Sequence, residues 1–158
     1  MRRYALFILA AVLAAGCTST VEIEKTLTFA DMRTGWYDAG IVNGQNKLVP
    51  SLSFRLKNNA PDAVAGVQLN AIFHRIGETD GWGEHYVSAV GRDGLEGGKT
   101  SGLIVLRSGL GYTGSQPRLE IMQNRAFVDA RVEIFGKQGR RNWVKLGDFN
   151  IDRQLLTE

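Results

Sequence analysis

His74 and His85 are the only imidazoles in a chain of 158 residues. Neither has a second histidine four positions away, and no cysteine pair accompanies them, so the spacing of a zinc site is absent. Alternation along the chain puts His74 on the polar side of its segment, and both rings are expected at the surface. Glu78, Asp80, Glu84 and His85 surround Trp82 in a Gly-containing stretch. Their oxygens suit calcium in kind, but the intervals match no calcium loop. Gly109-Leu110-Gly111-Tyr112-Thr113-Gly114 spells G-x-G-x-x-G after an apolar run, with Asp129 twenty residues past the first glycine. A dinucleotide site needs the third glycine to sit inside a helix that meets the pyrophosphate. Ser115-Gln116-Pro117 interrupts the chain there instead, so this segment is expected to be a flexible loop. No G-x-S-x-G elbow occurs, and no histidine stands in a triad order with a serine and an acid. The residues therefore predict no catalytic constellation, no metal and no cofactor; the expectation is a protein that is not an enzyme.

Binding chemistry is better represented. Lys137, Arg140, Arg141 and Lys145 gather four positive charges around one predicted hairpin, Lys137–Asn142. Such a group can meet anionic lipid headgroups, an acidic protein or a charged glycan. Cations also line strand edges simply to deter edge-to-edge pairing, the competing explanation. Trp82 and the pair Trp36-Tyr37 are either aromatic contact points or packing residues of the domain. Lys137, Arg140, Arg141 and Trp82 are the candidate binding residues.

The elements that must carry these side chains read as strands. Val21, Ile23, Leu27 and Phe29 alternate with Glu22, Glu24 and Thr28, the period-2 signature of a half-buried strand. Leu52, Phe54 and Leu56 alternate with Ser53, Arg55 and Lys57, and Asn58–Asp62 makes a turn. Val67, Leu69, Ala71 and Phe73 share the next apolar face. Further strands are expected at 82–90, 100–107, 127–135, 143–149 and, last, 151–155. Ser115–Asn124 is the exception: Ser115 caps a predicted short helix with Pro117 in its first turn, and Leu119, Ile121 and Met122 turn inward. Short strands separated by turn signals, without long intervening helices, predict an all-β fold, an immunoglobulin-like antiparallel β-sandwich with one short helix.

The first seventeen residues, MRRYALFILAAVLAAGC, have a different character. Two arginines precede an uncharged apolar stretch from Tyr4 to Ala15, too short to span a bilayer and followed by small residues. Leu13-Ala14-Ala15-Gly16-Cys17 resembles the lipobox of bacterial lipoproteins, with Ala14 in the place usually held by leucine. The resemblance implies that residues 1–16 are a signal peptide and that Cys17 is lipidated. Cys17 is also the sole cysteine, and lipidation would consume a thiol that has no disulfide partner. Residues 17–20 form the tether and 21–158 the domain. Thr18 follows the cysteine where enterobacterial lipoproteins retained in the inner membrane carry aspartate. That resemblance implies the periplasmic face of the outer membrane, with the inner membrane as the alternative. Processing also removes Arg2 and Arg3, so the formal +3 charge of the full chain falls to +1, and nucleic acid is not an expected partner.

Ser53-Phe54-Arg55-Leu56-Lys57-Asn58-Asn59, then Val67-Gln68-Leu69-Asn70-Ala71-Ile72-Phe73, then Leu95-Glu96-Gly97-Gly98-Lys99-Thr100 is similar to the FxLYD-type immunoglobulin-like domain. Its Tyr-Asp after the second strand and the proline before the glycine turn are absent here. The resemblance implies a fold and a cell-envelope setting. Together these features predict a membrane-anchored accessory or assembly module that binds another envelope component. The alternative is a lipoprotein that presents a lipid, glycan or small solute to a transporter.

Overall fold

The computed structural model describes residues 21–156; the expected signal peptide (1–16), Cys17 and the expected tether lie outside them. A helical turn, α1 (Ile23–Thr26), opens the domain. It is followed by β1 (Leu27–Val42), β2 (Gln45–Asn58), β3 (Val67–Arg75), β4 (Gly83–Val90), β5 (Ile104–Arg107) and β6 (Tyr112–Gly114). Then come α2 (Arg118–Gln123), β7 (Ala130–Gln138), β8 (Val144–Asn150) and β9 (Leu155–Leu156). One sheet runs β5-β2-β1-β9, with β6 also on β2; the other runs β4-β3-β7-β8. Lettered A, B, C, C′, E, F and G, strands β1, β2, β3, β4, β5, β7 and β8 give an ABE sheet opposed to a C′CFG sheet, the immunoglobulin-like arrangement. One pairing departs from the antiparallel rule: β9 lies parallel to β1, Trp36 opposite Leu155.

The period-2 pattern explains the two layers. Leu48, Leu52, Phe54 and Leu56 of β2 face Leu69, Ala71 and Phe73 of β3 and Val132 and Ile134 of β7 across the interior, all fully buried. Phe29 of β1 meets Phe149 of β8 with ring centroids 5.1 Å apart, joining the sheets at one edge. At the opposite edge His85 of β4 reaches β5, its Nδ1 accepting the Arg107 N–H at 3.0 Å.

Several expectations are corrected. The strand predicted from Val21 begins only at Leu27, because Ile23 and Leu27 are four apart and the polar pair Lys25-Thr26 breaks the alternation. One helical turn puts both apolar residues inward, with a Lys25–Glu22 ion pair and Thr26 Oγ1 donating to the Glu22 carbonyl. The described residues thus hold two short helices, not one. In α2 Pro117 stands at the N-cap with no side-chain cap, and Ser115 does not serve. Ile121 and Met122 are buried, but Leu119 is 59% exposed, since a six-residue helix turns only a narrow stripe inward. The Gly109–Gly114 stretch is no flexible loop: its second half is β6, in register with Asn46–Leu48.

β1 is also far longer than the alternation suggests. Asn43 and Gly44 both have positive φ and close the β1–β2 hairpin, the conformation that Asn-Gly favours in a two-residue turn. Irregularities in register between Ala30 and Arg33 and between Asp38 and Ile41 bend the strand. Each interrupts the polar-apolar alternation, which is why β1 beyond Phe29 is hard to read from sequence.

Candidate functional site

The chain runs so that α1, the 59–66 and 91–100 loops and the β7–β8 turn share one end of the sandwich. The β1–β2 turn, the Trp82 loop, β6 and α2 share the other. The candidate residues divide between these ends. Lys137 lies on β7 beside the turn, its Nζ 4.9 Å from the centre of the Trp143 ring. Arg140 is exposed and has no partner among the described residues. Arg141 donates from Nη1 to the carbonyl of Val21, the first described residue. Gly139 N–H bonds Gly66 O at 3.0 Å, which fixes the turn against the neighbouring loop.

Lys145 does not belong with these charges. Its ammonium lies 2.7 Å from Glu133 Oε1 and 2.9 Å from Asp148 Oδ2, on the outer face of the sheet. Those hydrogen bonds hold the Lys145 pKa above its ordinary value. Conversely, the Lys145 hydrogen bond is the largest influence holding the Glu133 carboxyl below the usual range, overcoming its partial desolvation, with Lys145 and Arg131 charges adding to it. The hairpin therefore offers solvent the charges of Lys137, Arg140 and Arg141, not four.

Trp82 stands at the far end, half-buried. Its ring lies 5.1 Å from Tyr112 and 6.3 Å from Trp36, and the Arg75 guanidinium sits 5.7 Å from its centroid. Trp36 is wholly buried and contacts Phe127 at 4.5 Å. Tyr112 accepts the Val128 N–H at 3.1 Å through its hydroxyl, clamping β6 to the segment before β7. The hairpin and Trp82 are not parts of one surface.

His74 corrects the expectation of a surface imidazole. It is 5% exposed, with Nδ1 3.1 Å from Asp80 O and Nε2 3.0 Å from Glu133 Oε2. Its polar-side position was legible; the burial comes from Glu133 on the neighbouring strand. Glu78 pairs with Arg75 at 2.9 Å. Among the described residues no three histidine, cysteine, aspartate or glutamate side chains come together to hold a metal. Two of the G-x-G-x-x-G glycines, Gly111 and Gly114, sit where a Cβ would collide with a neighbour. A Cβ on Gly111 would lie 2.0 Å from Leu48 O, so only glycine lets β6 approach β2 this closely.

A surface feature that residue spacing does not reveal lies on the outer face of the β5-β2-β1 sheet. Arg33 and Arg107 flank Ser51 and Ser53 around a depression of about 150 Å³, with Tyr37 and Leu103 also at its wall. Apart from Leu103, which precedes β5, these residues come from three strands whose mutual register appears only on folding.

No protein-family model matches this chain, and no curated protein matches it. A solved structure, the ligand-binding region of serine-glutamate repeat protein A of Enterococcus faecium, is 14% identical. The match covers 84% of this chain and 98% of that one, with a TM-score of 0.35, and nothing about function follows from it. No described helix is long and apolar enough to cross a membrane.

Proposed function

We propose that this chain is a lipid-anchored, non-enzymatic binding module of the bacterial cell envelope, held to the bilayer through Cys17 by its hairpin end. The observation that carries the reading is the contact between Arg141 and Val21. Cys17 precedes Val21 by four residues, a reach of about 14 Å at most. A lipid on Cys17 would keep the Lys137–Asn142 turn within a Debye length or two of the headgroups, where Lys137, Arg140 and Arg141 meet anionic lipid. The far loops, including Trp82, would then face away from the membrane, toward another envelope component. The filled interior favours an interaction module over a carrier with a cavity between its sheets, since Trp36, Phe54, Phe73 and Leu52 leave the middle of the sandwich solid.

Hydrogen exchange on the lipidated protein in vesicles containing anionic lipid tests this orientation. Amides of residues 138–143 should gain protection on membrane binding while those of 76–82 do not. Protection at the Trp82 end instead would overturn the orientation.

A further inference from the structure

We propose that the depression on the outer face of the β5-β2-β1 sheet is an anion-binding site, taking a carboxylate or phosphate carried on a short apolar group. The floor is made by small side chains in the middle strand: Ser51, only 2% exposed, and Ser53. Pairing places Gly35, Ser51 and Arg107 in one cross-strand row and Arg33, Ser53 and Val105 in the next. Arg33 on β1 and Arg107 on β5 therefore stand on either side of β2, their strands about 10 Å apart. Both arginines line a space that Ser51 and Ser53 also line, and an oxyanion held between their guanidinium groups would take forked donors from each side.

The charge balance points the same way. The other strand arginines have acids: Arg55 pairs with Asp31, Arg75 with Glu78, and Arg131 with Glu133 and Asp148. Arg33 and Arg107 have no carboxylate among the described residues, although they border one depression. Arg107 is further committed. Its guanidinium lies 3.4 Å from the centre of the Tyr37 ring, and its Nε is buried without a hydrogen-bond partner. Leu103, 57% exposed on the same rim, supplies the apolar contact that an inorganic ion would not use.

The test is an NMR titration of the domain with inorganic phosphate and with octyl phosphate, against sodium chloride at matched ionic strength. Saturable shifts confined to Arg33, Ser51, Ser53 and Arg107, with octyl phosphate binding more tightly, are the expected result. Arg33→Gln and Arg107→Gln should each weaken binding tenfold or more, with the fold monitored in the same spectra. Loss of dispersion in Arg107→Gln would leave Arg33→Gln, on an exposed side chain, as the deciding variant. Equal affinity of Arg33→Gln and the unaltered protein would overturn the proposal, as would shifts that chloride reproduces. Glu158 follows Leu156, another rim residue, by two positions and lies outside the described residues. Binding seen only after Glu158→Gln would overturn the assignment to an external ligand and give the site to the chain's own carboxylate.

Discussion

Glu133 stands among His74, Arg131 and Lys145 on the outer face of the C′CFG sheet and satisfies all three. Its folded pKa is lowered, chiefly by the Lys145 hydrogen bond. A carboxyl whose folded pKa lies below its unfolded one adds stability that is fully present above the unfolded value, near 4.3, and is lost as pH falls through the folded one. Glu133→Gln should therefore be less stable than the unaltered protein at pH 7, with the gap narrowing below about pH 4. Urea denaturation across that range checks this; a gap that stays constant with pH would contradict it. Gly111 makes a second prediction at this scale. Gly111→Ala drives a methyl into the Leu48 carbonyl and should cost about 2 kcal/mol, whereas Gly109→Ala, with nothing within 4 Å of its Cβ, should stay within about 0.5 kcal/mol. Equal melting of the two variants would remove the packing explanation for this glycine motif.

The β7–β8 hairpin shows what an element can and cannot reveal from sequence. Its strands and turn were legible because Val132 and Ile134 alternate with charged residues up to a Gly-containing polar run. The fate of its cations was not, because Lys145 is neutralised partly by Glu133 on the paired strand and Arg141 contacts a residue 120 positions away. Exchanging Arg140 and Arg141 for glutamate should leave stability within about 0.5 kcal/mol and weaken association with anionic vesicles. Raising salt should weaken the unaltered protein in the same direction by screening. Vesicle binding that charge reversal leaves intact would place the membrane contact elsewhere. β2 and β3 were the clearest strands for a related reason: both have an inner face that is apolar at every second residue. β1 was obscured by its two irregularities, and α1 by an Ile23–Leu27 spacing that fits either a helical turn or a strand. The Arg33–Arg107 depression was illegible, since alternation assigns a side chain to a face but does not say which strands become neighbours.

At the scale of the whole molecule, a solid immunoglobulin-like sandwich separates two ends with different chemistry. One carries Val21, the first described residue, and the cations Lys137, Arg140 and Arg141; the other carries the aromatic cluster around Trp82 and α2. The proposed function turns on this polarity, and the polarity has meaning only if the chain is anchored where the lipobox-like sequence ends. The decisive measurement is metabolic labelling of the full chain with an alkyne fatty acid in a bacterial host, followed by mass spectrometry of its N-terminus. The expected result is a label on Cys17 as the first residue of the mature protein, and a Cys17→Ser variant that carries no label and leaves the membrane fraction. An unlabelled, unprocessed Cys17, or a Cys17→Ser variant that retains the label, would contradict it.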